Sequence, residues 1–333
     1  MNYDVYAQKA LSGILLDSQE MHAILQTPND DILPLLHSAF QVRKHHFGRT
    51  VQIQVLMNAK SGLCPEDCGY CSQASNSDAP IDKYPLRPAE EIIDAARQAK
   101  ANGAYRYCIV TSGRAPTDRE VDAVADVVQQ IKQDIDIDIC CCLGLLNENK
   151  AQRLKEAGVD RVNHNLNTSK NHTPNIVSTH TYEDRVNTLH AIQKVGLDTC
   201  AGGIVGMGET HDDIIDMAVS LREIKVDSIP VNFLHAIDGT PLANSESLSP
   251  YDCLRALCLF RFVNPHTEIR VAGGREKNLR SLQPLALYPA NSLFMEGYLT
   301  TDGLGVSDTH KMIADLGFEV KTMETENPLA LVQ

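Results

Sequence analysis

Three cysteines, Cys64, Cys68 and Cys71, fall within eight positions of the stretch NAKSGLCPEDCGYCSQAS (58–75). Three thiols on one loop read as ligands for a metal or for a metal–sulfur cluster. A cubane of four irons normally takes four protein thiolates. Three would leave one iron open to an outside molecule, by the logic that keeps one position open in a catalytic zinc site. Structural zinc is the plainer alternative. It favours two C-x2-C or Cys/His pairs, and no second pair follows. The chain has ten cysteines in all. A reducing cytosol keeps thiols free, so close spacings read as ligation sites and not as disulfides. The isolated Cys253 and Cys258 read as thiols packed in a helix.

The elements that must position these thiols recur from residue 51 onward as a β-rich run, a loop and an amphipathic helical stretch. The strand-like runs are VQIQVLMN (51–58), YRYCIVTSG (105–113), IDICCCLG (137–144), DRVNHNLN (160–167), LDTCAGGIVG (197–206), DSIPVNFLH (227–235), EIRVAGG (268–274) and NSLFMEG (291–297). Helical patterns lie between them, such as PAEEIIDAARQAKANG, REVDAVADVVQQIKQD, NKAQRLKEAG, YEDRVNTLHAIQKVG and THDDIIDMAVSLREIK; three of these stop at a glycine. Eight strands alternating with helices over about 250 residues predict an α/β fold, a TIM-type (β/α)8 barrel. The expected layout is an N-terminal helical cap over 1–47, the barrel over 48–320 and a C-terminal tail over 321–333. A doubly wound open sheet is the alternative, but no GxGxxG fingerprint follows the first strand.

Barrel enzymes work at the C-terminal ends of their strands, and the three-cysteine loop follows the first strand directly. Barrel interiors are usually filled with Val, Ile and Leu, so inward polar side chains need a reason. Alternation along a strand puts residues two apart on one face. Arg106 and Cys108 then point the same way in the second strand. Cys140 and Cys142 share a face in the third, with Cys141 opposite. Asn163, Asn165 and Asn167 line one face of the fourth, with His164 turned away. Cys200 lies in the fifth strand, Ser228 and Asn232 share a face in the sixth, and Arg270 lies in the seventh. Leaving such groups buried and unpaired would cost about 1–3 kcal/mol each, so ligands are expected. Cys108, Cys140 and Cys200, from three strands, point to a second cluster deep in the barrel.

Bulk properties narrow the partners. The 333 residues carry a net charge of −13 with the acids scattered, which argues against nucleic acid, because phosphate binding needs a clustered basic surface. The short basic patch Arg43, Lys44, His45, His46 reads as a solvated helix end. No apolar run approaches the ~20 residues that span a bilayer. The N-terminus MNYDVYAQKALSG lacks the basic-then-apolar layout of a secretory signal, so a cytoplasmic protein is expected.

C-x3-C-x2-C after the first strand of a barrel, with Tyr70 just before the third cysteine, resembles the radical S-adenosylmethionine (SAM) enzymes. That resemblance implies a [4Fe–4S] cluster on Cys64, Cys68 and Cys71, with SAM on the open iron. One electron then cleaves SAM to methionine and a 5′-deoxyadenosyl radical, which abstracts hydrogen from substrate. Tyr70 would lie near the adenine. The stretches SGLCPEDCGYCSQAS, YRYC, CLG, NHNLNTS, TYEDRV, GGIVGMGET, IPVNFL, GTPL, RVAGGRE and ANSLF resemble more closely the sulfur-inserting branch that converts dethiobiotin to biotin, the last step of biotin formation. In that branch the sulfur comes from an auxiliary [2Fe–2S] cluster held by three cysteines and an arginine. Carried over by position, these ligands are Cys108, Cys140, Cys200 and Arg270, with Arg106 and Ser292 around them. Asn165, Asn167 and Arg185 fall where the branch contacts SAM, and Asn163 and Asn232 lie near the ureido group of dethiobiotin.

Position 167 is an aspartate in many relatives; asparagine can still hydrogen-bond ribose hydroxyls, without charge. Cys142 is a second inward thiol, either a packed residue or an additional cluster ligand. The acids of PED (65–67) fit a cluster of low potential. The resemblance further implies a flavodoxin- or ferredoxin-type electron donor, iron–sulfur assembly proteins as partners, and a homodimer.

Overall fold

The computed structural model describes residues 2–301 and 303–323; most of the expected tail over 321–333 lies outside them. The chain opens with three helices, α1 (Asp4–Leu11), α2 (Ser18–Leu25) and α3 (Ile32–Phe47), and then enters β1 (Thr50–Lys60). Strands and helices follow in turn: α4 (Ala89–Ala101), β2 (Arg106–Thr111), α5 (Asp118–Asp134), β3 (Asp138–Cys142), α6 (Glu148–Glu156), β4 (Arg161–Asn163), α7 (Thr173–Ile176), α8 (Tyr182–Lys194), β5 (Asp198–Cys200), β6 (Gly203–Val205), α9 (His211–Ile224) and β7 (Ser228–Phe233). The last are α10 (Pro250–Val263), β8 (Glu268–Val271), α11 (Arg275–Leu279), β9 (Ser292–Phe294), α12 (Val306–Asp315) and β10 (Glu319–Val320).

All strand pairings are parallel, in the order β1-β2-β3-β4-β5-β7-β8-β9, and β9 returns to β1, closing the barrel. The fifth stave is interrupted. The run expected as one strand over 197–206 splits into β5 and β6, because Gly202 passes so close to β7 that a Cβ there would stand 1.9 Å from the Pro230 carbonyl oxygen. β10 adds to the other edge of β1 at Thr50 and Val51.

Helix starts are set locally. Thr117, Thr181, Thr210 and Ser249 each accept a backbone N–H through their hydroxyl, while an acid three residues on returns the bond. The core then sorts by strand alternation. Tyr107, Ile109, Ile139, Cys141 and Val162 join the apolar layer between strands and helices, while Cys108 and Cys140 pack inside the barrel with Ala272 and Phe294. Cys253 and Cys258 are wholly buried in α10, as expected.

The basic patch at the end of α3 differs from expectation. Lys44 and His45 are exposed, but Arg43 is fully buried. It donates to the carbonyls of Gly48, Thr50 (2.7 Å) and Ala290 (3.4 Å), and stacks over Phe318 at 4.5 Å, fastening the cap to the barrel. Beside it, His46 meets His45 and His266 at ring centroid distances of 4.7 and 4.3 Å. Burial first, then the charges of His266, His45 and Arg261, push His46 down to about 4 from 6.5. A depressed imidazole is protonated more readily in the unfolded chain, so its contribution is intact above about pH 6.5 and is lost as pH falls towards 4. His46→Gln should therefore flatten the acid loss of stability in that window. Urea midpoints of parent and variant at pH 7.5, 6 and 5 check this, and parallel slopes would contradict it.

The turn after β8 needs glycine. Gly274 has φ +73°, and a Cβ on it would stand 1.8 Å from the Phe233 carbonyl oxygen, which is fixed backbone. Gly274→Ala should cost about 3 kcal/mol or more, read as a lowered melting temperature.

Candidate functional site

The loop after β1 carries the three-cysteine motif and is pinned from several sides. Gln73 accepts from the Gly62 amide (3.0 Å), Gly69 donates to the Ile176 carbonyl (2.9 Å), and the Cys71 amide closes a turn on the Cys68 carbonyl (3.0 Å). Cys64, Cys68 and Cys71 all face one cavity of about 300 Å³ at the C-terminal mouth of the barrel. Burial raises all three thiols, Cys68 to about 12. Deprotonating them together needs a compensating cation, and this is the donor chemistry of a metal or cluster site.

The acids of the motif are anchors. Glu66 is buried and accepts from Thr179 Oγ1 (2.6 Å), from His180 Nδ1 and from Arg114 Nη1 (3.2 Å). Burial pulls its pKa up, yet these partners hold it below the ordinary carboxylate value. Asp67 accepts from Ser178 and Thr179 through backbone and side chain; against the pull of burial, these bonds hold it down to about 2. Their charge is thus spent locally on the 178–180 segment. Glu66, Cys68 and His180 place ligand atoms within 4.8 Å of one another. Both imidazole nitrogens are engaged, however, because Arg185 Nε donates to His180 Nε2 at 2.9 Å.

The residues expected around SAM come together beside this loop. The Tyr70 hydroxyl accepts from Asn167 Nδ2 at 2.6 Å, and Arg185 Nη1 donates to the Asn165 carbonyl at 2.8 Å. Strand alternation does not put them there. β4 ends at Asn163, and Asn167 sits in the left-handed region at φ +70°, where its amide bonds the Gly202 carbonyl (3.0 Å). His164, expected to turn away, lines the cavity as well. Asn163 spans the two halves: its Nδ2 lies 3.1 Å from Asn165 Oδ1 and 3.2 Å from Cys200 Sγ. Asn232 is held by backbone on both sides, donating to the Gly203 carbonyl (3.0 Å) and accepting from the Gly273 amide (2.9 Å).

Deeper in the barrel, register builds a second thiol group. Cys108 faces Cys140 across β2 and β3, and Cys200 pairs with Asn163 on one side and Ser228 on the other. The neighbouring Cys108 thiol, then burial, raise the Cys140 thiol. Arg270 Nη1 lies 3.6 Å from Cys200 Sγ, and Arg270 Nε donates to Ser292 Oγ (3.3 Å). Cys142 also lines the cavity; burial, then Cys140 and Cys200, push it up to about 12. Cys108, Cys140, Cys200 and Arg270 converge, and Cys142 adjoins them. Three thiols beside a fixed guanidinium suit a sulfur-bearing cluster.

Beneath this group lie Glu268, Arg161 and Gln54, which no sequence motif singled out. Glu268 is buried and pairs with Arg270 (2.7 Å), Arg161 (2.6 Å) and Arg106 (3.4 Å). Arg106 thus binds Glu268 and Asp138. Gln54 donates to Glu268 (2.8 Å) and accepts from Cys108 Sγ at 3.6 Å. The available signal was alternation: Gln52 and Gln54 interrupt the apolar run of β1, and Glu268 shares the face of Arg270.

Comparison with known proteins agrees with this geometry. The Radical SAM superfamily model matches residues 60–221, and that of the Biotin and Thiamin Synthesis associated domain matches residues 230–319. Among solved structures, methylornithine synthase superposes with a TM-score of 0.85 at 18% identity, covering 97% of this chain and 99% of that one. The FeFe-hydrogenase maturase HydG from Carboxydothermus hydrogenoformans gives 0.80 at 17% identity, over 96% of this chain and 79% of its own. Both share the barrel. Sequence relatives are much nearer. Biotin synthase of Bacillus licheniformis is 55% identical over 318 residues, 96% of each chain. That of Bacillus subtilis is 54% identical over 96% of this chain and 95% of its own, and that of Geobacillus thermodenitrificans 53% over 96% of each. The chain belongs to the biotin synthase family, within the radical SAM superfamily.

Proposed function

We propose that this chain forms biotin from dethiobiotin by radical sulfur insertion. When bound, a [4Fe–4S] cluster with SAM would supply 5′-deoxyadenosyl radicals, one from each of two SAM molecules cleaved in turn and each removing one substrate hydrogen, and an auxiliary [2Fe–2S] cluster would supply the sulfur that takes their place. The observation that carries the reading is two separate thiol groups addressing one cavity: Cys64, Cys68 and Cys71 at its mouth, Cys108 and Cys140 deeper, with Cys200 directly behind Asn163.

The chain's own residues divide the work. Cys64, Cys68 and Cys71 hold the first cluster, on a loop kept in place by Glu66 and Asp67. Tyr70, Asn165, Asn167 and Arg185 bind and orient SAM; their mutual hydrogen bonds fix these groups before ligand arrives, which lowers the cost of ordering on binding. Asn163 and Asn232 offer amides that suit the donors and acceptor of a cyclic urea, with Asn163 placed between the SAM side and Cys200. Cys108, Cys140, Cys200 and Arg270 hold the sulfur source. Phe294, Tyr298 and Leu234 give the cavity wall apolar surface.

Reduction requires an outside donor of flavodoxin or ferredoxin type, and loading requires iron–sulfur assembly proteins; family membership supports both. It likewise supports a homodimer and a cytoplasmic setting. Among the described residues no helix is long and apolar enough to cross a membrane.

The test uses anaerobically reconstituted protein reduced with dithionite and supplied with SAM and dethiobiotin. Iron and sulfide are quantified, and 5′-deoxyadenosine and biotin are followed together by mass spectrometry. Both products, with sulfide lost from the protein, support the reading. Deoxyadenosine without biotin keeps the radical chemistry and moves the substrate elsewhere. Neither product, from protein carrying its full iron, favours an electron carrier.

A further inference from the structure

We infer that Glu268 is a positioning residue that decides which nitrogen of Arg270 meets the inward thiols. This rests on the reading of Cys108, Cys140, Cys200 and Arg270 as the sulfur-donor site.

The Glu268 carboxylate is 6% exposed. Its Oε1 accepts from Gln54 Nε2 (2.8 Å) and Arg270 Nη2 (2.7 Å), and its Oε2 from Arg161 Nη1 (2.6 Å) and Arg106 Nη1 (3.4 Å). A carboxylate has about four acceptor sites, and all are in use. Arg270 is held on two of its three nitrogens. Nη2 also donates to Ser228 Oγ (2.9 Å), and Nε to Ser292 Oγ (3.3 Å). A guanidinium is a rigid planar fork, so fixing Nε and Nη2 fixes Nη1. That atom lies 3.6 Å from Cys200 Sγ. The direction in which Arg270 presents itself is therefore set from below.

The same carboxylate acts at a second thiol. By holding Gln54 Nε2 it turns Gln54 Oε1 to Cys108 Sγ, 3.6 Å away. Charge distinguishes the three arginines. Arg106 and Arg161 each have a further acid, Asp138 at 2.8 Å and Asp198 at 3.1 Å, whereas among the described residues Arg270 pairs with Glu268 alone. Buried ion pairs are poor sources of net stability, and a fixed geometry is their better-attested product.

Glu268→Gln keeps the shape, but turns an N–H towards a guanidinium and removes the charge facing Arg270. Glu268→Asp keeps the charge with a shorter reach. Both are made in the full chain and reconstituted anaerobically, and melting temperature, iron and sulfide content, and Mössbauer spectra are recorded. The centre on Cys64, Cys68 and Cys71 serves as internal control. Outer partners of metal ligands typically change affinity about 10- to 100-fold. The expected result is a loss of that size in auxiliary-centre retention for Glu268→Gln, with a shifted signature, a parental spectrum for the loop centre, and partial recovery in Glu268→Asp. A parental auxiliary signature in Glu268→Gln overturns the inference. So does joint loss of both centres with a collapsed melting temperature in both variants, which would mean a structural role only. Should the parent hold no second centre, the site reading itself fails. Crystal structures of metal-free parent and Glu268→Gln then decide the inference separately: an unmoved Arg270 Nη1 beside Cys200 overturns it, and a rotated guanidinium sustains it.

Discussion

Cys68→Ala is expected to bring 5′-deoxyadenosine formation down to background, and biotin formation with it. Cys68 is the middle of the three thiols and the most enclosed, and the Cys71 amide turns back onto its carbonyl, so the loop geometry centres on it. Removing it leaves two thiolates for a four-iron cluster that already has one fewer protein ligand than usual. The fold should survive, since one buried sulfur typically contributes about 1 kcal/mol. The measurement pairs iron content with deoxyadenosine from reduced, SAM-supplied protein, and circular dichroism reports the fold. Deoxyadenosine at the parental rate would refute the assignment of the loop.

Cys200→Ala is expected to separate the two halves of the chemistry. SAM cleavage should persist within about twofold of the parent, because the nearest contact from Cys200 towards the SAM side is indirect, through Asn163 to Asn165. Biotin should fall to background. Cys200 is wholly buried, pairs in register with Asn163 and Ser228, and has Arg270 Nη1 at 3.6 Å, so no neighbouring solvent-borne ligand can replace it. Mass spectrometry of both products in one reaction reads the split. Biotin at the parental yield would remove Cys200 from the sulfur-donor role and direct attention to Cys142, which adjoins Cys140 and Cys200. Loss of both products would mean that the two thiol groups are not independent.

Much of this is legible in the sequence. The three-thiol spacing and the alternation that sends Cys108 and Cys140 inward and Cys141 outward depend on local backbone geometry alone, and local geometry is written in consecutive residues. So are the helix starts at Thr117, Thr181 and Thr210, where a hydroxyl and an acid three residues apart close on each other. The same local rule failed where the strand ended early. Asn165 and Asn167 lie past the end of β4, so their approach to Tyr70 and Arg185 follows from a left-handed turn bonded to Gly202, and His164 faces the cavity with them. Arg43 looked solvated because its neighbours in sequence are polar; its true neighbours are carbonyls at 48, 50 and 290.

The sequence by itself determined the barrel, the three-cysteine loop and the inward direction of Cys108 and Cys140. Tertiary structure alone decided what those groups do to one another. Glu268 meets Arg106 and Arg161 across 162 and 107 residues of chain, and Glu66 meets His180 across 114. Such pairings depend on strand register and barrel closure, which bring distant residues to hydrogen-bond distance and exclude the water that would otherwise satisfy them. A charge read from sequence as solvated or as tuning a cluster becomes, once buried, a fixed partner, because an unpaired charge in that interior costs more than the fold can spare.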